Sequence, residues 1–230
     1  MSETIGILTW NVCGDKNENR MEELEEIFAD IEKVGQTVDL ICLQETSEDG
    51  VLLDYLRENH FFCFQVTEGK NGGRCYIVGL NLEALNSDPE RLSLERLWVN
   101  YEGPCSGPLR YPVFIDFEMK GMNLRLYTVH SPFGNSLWEC IEAYGQDAET
   151  AAASDAFAGV FATGDFNLKM AEDPEQAGIE QYFDGFIGFS NQWDHIFGGG
   201  PGITGVGTGI NYPSSCSDHD AVYVPFEMGE

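Results

Sequence analysis

The chain has 230 residues, 43% of them hydrophobic and 12% aromatic, which excludes an intrinsically disordered polypeptide and allows a sizeable core. No apolar run is long enough to span a bilayer, and Met1-Ser2-Glu3-Thr4 has neither the basic nor the apolar region of a signal peptide, so a cytoplasmic protein is expected. The formal net charge of −27, from 39 acidic and 12 basic residues, is unlike that of a surface built to grip a long phosphate backbone, although solubility or a salty interior would also account for it.

Ile5 to Trp10 is an apolar run that predicts a buried opening strand. Met21, Leu24, Ile27, Phe28, Ile31 and Val34 then fall on one face of a helix, with Gly35 suited to its C-terminal cap. Val38 to Leu43 predicts a strand, Val51 to Leu56 a helix, and Phe61 to Val66 a strand. Further strands are expected over Arg74 to Leu80, Leu94 to Val99, Val113 to Phe117 and Leu124 to Val129, separated by Gly, Pro and Asn. A helical stretch from about Leu137 to Ala158 precedes a short strand from Val160 to Thr163. Asp173 to Gly209 is Gly-rich and loop-like apart from a strand over Trp193 to Phe197, and Gly198 to Gly202 is expected to be a flexible loop. Ala221 to Phe226 is the last strand. No linker or internal repeat interrupts the chain, so residues 1–230 are expected to form one α/β (α+β) domain of two packed sheets with helices outside.

The seven cysteines are scattered without CxxC spacing, which excludes a zinc ribbon or a thioredoxin motif and fits a reduced compartment. HExxH, GxSxG, Walker A and GxGxxG motifs are also absent. What remains is a set of polar residues at the ends of apolar strands, where sheets present reactive groups to a cleft. Asn11, Glu45, His130, Asp165 and Asn167 follow or end their strands, and Asp218 and His219 immediately precede the last one. Oxygen donors from Glu45, Asp218 and the amide of Asn11 suit Mg²⁺, and two histidines suit proton transfer near neutral pH. Each residue taken singly also has an ordinary reading. Asn11 could end a strand in a turn, Glu45 could be a surface carboxylate before a helix capped by Ser47, and Asp165 with Asn167 could form an Asx-turn. His60 and His195 are read as structural, and Asp220 as a solvated charge.

Taken in order, Thr9-Trp10-Asn11, Leu43-Gln44-Glu45, His130-Ser131, Gly164-Asp165-Phe166-Asn167, Trp193-Asp194-His195-Ile196 and Ser217-Asp218-His219 resemble the endonuclease/exonuclease/phosphatase superfamily. Arg74 opening a strand, Leu109-Arg110-Tyr111-Pro112, and His130-Ser131-Pro132 resemble the branch of DNase I and the nuclease subunit of cytolethal distending toxin. The resemblance implies a DNase I-like four-layer sandwich, two mixed sheets flanked by helices. It implies a Mg²⁺-dependent phosphodiesterase, with Mn²⁺ able to substitute, acting on nucleic acid, DNA rather than RNA. A small-molecule or lipid-headgroup phosphoester is the alternative substrate.

By the same resemblance, Asn11, Glu45 and Asp218 hold the metal. Asp165 and Asn167 orient the attacking water and the phosphoryl group. Asp194 orients His219, His130 contacts the phosphate on the leaving side, and Arg74 and Arg110 contact phosphate. Either His219 or Asp165 is the general base. Two positions depart from the family pattern. Gly73 replaces the carboxylate expected before Arg74, which leaves His130 without an assigned partner. Ser47 stands where many abasic-site endonucleases have Lys.

Overall fold

The computed structural model describes residues 3–15, 18–69, 73–100, 110–132, 136–168, 182–191 and 193–229. In chain order its strands are β1 (Glu3–Asn11), β2 (Leu40–Thr46), β3 (Phe61–Thr67), β4 (Cys75–Asn81), β5 (Glu95–Arg96), β6 (Val113–Met119), β7 (Met122–His130), β8 (Gly159–Asp165), β9 (Ile187–Asn191), β10 (Asp194–Gly199), β11 (Ile203–Val206), β12 (Ile210–Tyr212) and β13 (Ala221–Met228). The helices are α1 (Asn19–Lys33), α2 (Leu52–Glu58) and α3 (Ser136–Ala152).

The strands form two mixed sheets. One runs β11-β13-β1-β2-β4-β3, with β12 also on β13; the other runs β5-β6-β7-β8-β10-β9. Each contains one parallel pair, β1·β2 and β7·β8, joined in the chain through α1 and α3. β1 and β8 are buried along almost their whole length because both of their faces are covered. On β1, Ile5 and Ile7 join the core between the sheets, while Leu8 and Trp10 join the core beneath α1 and α2. A third apolar cluster lies between α3 and the second sheet, with Tyr127, Cys140, Ile141, Tyr144 and Val160. The layers are therefore helix, sheet, sheet, helix.

The expected elements form with shifted limits. The last helix ends at Ala152 instead of Ala158, where Ser154 and Asp155 break it, and the strand expected over Leu94 to Val99 shrinks to β5. Within the stretch expected to be loop-like, β9 and β11 are strands, and Gly198 and Gly199 continue β10 instead of forming a flexible loop. Both glycines are buried against Phe226 and Phe186, so neighbouring rings supply the packing that the sequence window lacked. The part of that stretch over 173–181 lies outside the described residues.

At Gly164, paired with Val129, β8 packs tightly against β7. The φ of Gly164 is +124°, and a Cβ there would stand 2.1 Å from the Val129 carbonyl oxygen. Gly164→Ala is expected to cost about 2–4 kcal/mol through backbone strain and overpacking. In a chain of this size that is a fall in Tm of roughly 5–15 °C, read by thermal denaturation. An unchanged Tm would show that β7 and β8 can separate freely beside the site.

Candidate active site

Strand register assembles most of the site. His130 pairs with Asp165 across β7·β8, and Asp165 pairs with Asp194 across β8·β10, so three sequence-distant residues share one row. Directly opposed residues in a sheet project to the same face, which brings these side chains together. From the first sheet, Asn11 ends β1, and Asn11 Nδ2 donates to Asp165 Oδ2 at 2.9 Å. Glu45 lies where the β2·β4 register shifts between Leu43 and Thr46, and its φ is +56°. A bulge of this kind re-aims a side chain, and strain at a non-glycine residue is typical of functional positions.

His219 enters from the segment before β13. Its Nδ1 donates to Asp194 Oδ2 at 2.7 Å, and its Nε2 lies 3.7 Å from Asp165 Oδ2. Burial works against a charge on His219, but the hydrogen bond to Asp194 and the charges of Asp194, Asp165 and Asp218 outweigh it and hold its pKa up at about 9. We place the proton of the pair on His219, where several carboxylates compensate it. The Trp193 ring packs against His219 with centroids 5.0 Å apart.

His130 is held in the opposite state. Burial lowers its pKa to about 3, the charge of Asp165 opposes that, and Arg110, His219 and Arg74 reinforce it. Arg110 Nη1 meets His130 Nε2, and a guanidinium can only donate, so Nε2 accepts and the ring proton sits on Nδ1. That proton points to Glu68 Oε2 at 2.8 Å. Glu68 also accepts the Glu45 amide at 2.5 Å through Oε1. Glu68 is thus the partner of His130 that Gly73 does not supply. It stands just after β3, before a Gly- and Asn-containing stretch of sequence, so it carries the same strand-end signal as the residues identified from sequence. Burial pushes its carboxyl up to about 8 against the pull of Arg110.

Arg74 pairs with Glu45 Oε2, and Arg110 lies 3.6 Å from Glu45 Oε1 and 3.7 Å from Glu68 Oε2. The Arg74 side chain is half exposed, whereas that of Arg110 is buried. Asn167, with φ +53°, donates its backbone N–H to Asp165 Oδ1 at 2.7 Å and its Nδ2 to the Ser131 carbonyl at 2.6 Å. The Asx-turn expected of Asp165 and Asn167 is therefore present within the cluster. Asp218 is exposed and acts on the cluster through its charge on His219.

Two ordinary readings, those of Asp220 and Ser47, differ from what the structure shows, and that of Asn11 as a turn residue ending its strand holds. Asp220 is half-buried and accepts from Asn211, Asn191 and Ser214, so it is an internal clamp and not a solvated charge. Asp15, not Ser47, serves the entry to α2: it accepts the Ser47 amide at 2.6 Å and the Leu52 amide at 3.4 Å. Asn11 turns its Oδ1 to the Cys13 amide at 3.0 Å, leaving Nδ2 for Asp165. His195 is buried, bonds to the Leu168 carbonyl through Nε2, and lies parallel to Phe197, as a structural histidine would.

The donor set fits a hard divalent cation. Glu45 Oε1 and Asp165 Oδ2 lie 3.3 and 3.4 Å from the same His130 Nε2, which concentrates anionic oxygens at one place. Ligand atoms of Asp165, Asp194 and His219 also lie within 4.8 Å of one another. Since Asp194 Oδ2 and His219 Nδ1 already bind each other, we read that trio chiefly as a carboxylate–imidazole pair facing Asp165.

Residues 8–219 match the model of the Endonuclease/Exonuclease/phosphatase family. No curated protein matches the sequence. Among solved structures, the human Nocturnin catalytic domain with bound sulfate is similar over 99% of this chain and 98% of that one, at 13% identity and a TM-score of 0.72. A humanized Danio rerio TDP2 is similar over 97% and 98%, at 18% identity and a TM-score of 0.66. A Bacteroides thetaiotaomicron mannosyl-6-phosphatase is similar over 98% and 100%, at 13% identity and a TM-score of 0.66. At these identities the likeness establishes the fold: two packed mixed sheets of the DNase I-like kind.

Proposed function

Because this chain belongs to the endonuclease/exonuclease/phosphatase family, whose members are phosphoester hydrolases that generally depend on a divalent metal, we propose that it is a Mg²⁺-dependent phosphodiesterase of nucleic acid. The observation that carries the proposal is the pair of imidazoles on either side of Asp165. His130 Nε2 and His219 Nε2 lie 3.4 and 3.7 Å from the same oxygen, and each ring is oriented by its own buried carboxylate. One histidine on the attacking side and one on the leaving side suit in-line hydrolysis of a phosphoester, and the diester is proposed from the resemblance to the nuclease branch.

In this reading His219, once it has lost its Nε2 proton, takes the proton from water, because both oxygens of Asp165 already accept hydrogen bonds, from Asn167 and from Asn11. Asp165 and Asn167 orient the water and the phosphoryl group. His130, neutral with its proton on Nδ1, works with Arg110 and Arg74 on the phosphate and the leaving oxygen. Glu45 is the principal metal carboxylate, supported by Asp218, with Asn11 acting through Asp165. A divalent cation held by Glu45 and Asp218 would supply polarisation of the phosphoryl oxygen and charge compensation for the leaving oxyanion. The Glu68–His130 pair supplies the carboxylate partner that the resemblance to the nuclease branch calls for, and DNA over RNA is proposed from that branch. Among the described residues no helix is long and apolar enough to cross a membrane.

A second reading, a small phosphoester as substrate, draws support from the charge. Away from the site, Lys33, Arg57, Arg91, Lys120 and Arg125 are each paired with a carboxylate, so they add little to a surface for polyanions. The discriminating measurement is initial rate against KCl at saturating Mg²⁺, with plasmid DNA and a small phosphodiester in parallel. Repulsion of DNA by a net charge of −27 should ease as the Debye length falls from about 30 Å at 0.01 M to about 10 Å at 0.1 M. DNA cleavage should therefore gain kcat/KM over that interval while the small diester stays flat. A steady decline from the lowest salt would mean that a local basic patch governs binding. Turnover of the small diester with no nicking of DNA would establish the second reading instead.

A further inference from the structure

The half-buried Glu23 carboxylate of α1 belongs to none of the motifs described above, yet it collects three donors from one short segment. Ser214 Oγ donates to it at 3.0 Å, the Ser215 amide at 2.7 Å, and the Cys216 thiol completes the set. Ser214 Oγ has a single proton, and its use on Glu23 leaves the lone pairs for other donors. They accept the amides of Cys216 at 3.2 Å and Ser217 at 2.8 Å. Ser217 Oγ in turn donates to the Asn11 carbonyl at 2.7 Å and accepts the His219 amide at 3.2 Å. The His219 carbonyl is held by Trp10 Nε1 at 3.2 Å. One turn earlier on α1, Arg20 Nε donates to the carbonyls of Val12 and Gly14, at 2.7 and 3.1 Å, just beyond Asn11.

We infer that Glu23 is a positioning residue for His219 and the adjoining Asp218, acting through the 214–217 turn. Residues 214–217 form no helix or strand, so side-chain acceptors replace the backbone ladder that fixes His130, Asp165 and Asp194. Glu23 sets the rotor of Ser214, Ser214 sets Ser217, and Ser217 sets the backbone from which the His219 ring reaches Asp194. Since His219 also contacts Asp165 at 3.7 Å, a small tilt of this segment changes the distance between the proposed base and the water-orienting carboxylate. The inference rests on the phosphodiesterase reading for its kinetic consequences, but not for its structural one.

The test compares Glu23→Ala and Glu23→Gln with wild type, alone and combined with His219→Ala. Gln keeps one acceptor oxygen but places an N–H₂ against donors, so its effect should be intermediate. Glu23→Ala is expected to lower kcat by about 10- to 100-fold, with KM within about threefold and Tm within a few degrees. In the His219→Ala background the same substitution should cost less than about twofold, because sites acting through one group are not additive. Amide hydrogen exchange of Ser217 and His219 should accelerate in Glu23→Ala while the β1 and β13 amides stay protected. Unchanged kcat, or an equal loss with and without His219, would overturn the inference, as would unaltered exchange. If Glu23→Ala does not fold, the same comparisons on Glu23→Gln decide the matter. If wild type hydrolyses no phosphodiester, the proposed activity fails and the exchange measurement alone decides the role of Glu23.

Discussion

Glu45→Gln is expected to lower kcat by about a thousandfold at the Mg²⁺ concentration that saturates wild type. A bound divalent cation contributes several kcal/mol of transition-state charge stabilisation, and each ~1.4 kcal/mol is a factor of ten in rate. Glu45 presents its carboxylate from a bulge, facing Arg74, Arg110 and His130. Gln has the same shape, so the substitution opens no cavity and changes only charge and donor character. The unpaired Arg74 can turn to solvent, since half of its side chain is already exposed, and Arg110 retains Glu68 at 3.7 Å. Stability should therefore change by only about 1 kcal/mol, the scale of one weakened ion pair. Initial rates across a Mg²⁺ titration, alongside thermal melts, separate the two effects. Turnover near the wild-type value at the same Mg²⁺ would remove Glu45 from the metal site.

Asp194→Asn should be nearly as severe, with kcat reduced by about 10²–10⁴-fold and KM little changed. Asp194 accepts the Nδ1 proton of His219 at 2.7 Å, which fixes the tautomer that leaves Nε2 facing Asp165. An amide can turn its N–H₂ toward Nδ1 and thereby favour the wrong tautomer. It also removes the charge that most strongly supports a protonated His219. Burial then has less to oppose it, so the pKa of His219 should fall, and the ascending limb of the rate profile should lie at lower pH in the variant than in wild type. The sign follows from a base that works only after losing its proton: a lower pKa gives more of the neutral ring at a given pH. A limb that moves to higher pH, or an unchanged kcat, would mean that the Asp194–His219 pair is not the base.

Both expectations rest on residues that were legible as strand-end polar groups. Apolar runs located β1, β2, β7 and β8, and the residues that end or follow them are Asn11, Glu45, His130 and Asp165. Their chemistry was readable because it needs particular side-chain types, and their convergence was implied by the order of the motifs. Glu68 was not identified, although it too follows an apolar strand. Nothing local distinguishes a carboxylate beside a buried imidazole from one in a turn, and its partner His130 is 62 residues away. Asp220 was misread for the same reason, since its acceptor role depends on Asn191 and Asn211 on separate strands. The β9 and β11 strands were hidden because each contains a glycine, Gly188 against Ile196 and Phe197 and Gly205 against Glu227, so packing from elsewhere replaces the missing side-chain signal.

The sequence by itself determined which groups were available and which strands would carry them, because hydrophobic periodicity and residue type are properties of a short window. Tertiary structure decided which groups meet and in what protonation state. The row of His130, Asp165 and Asp194 depends on register between strands far apart in the chain. The opposite pKa shifts of the two histidines follow from what surrounds equally ordinary imidazoles: a guanidinium and burial for His130, and carboxylates for His219. Those surroundings are assembled by pairing between strands and sheets, and electrostatic energy depends on distances that only such pairing sets.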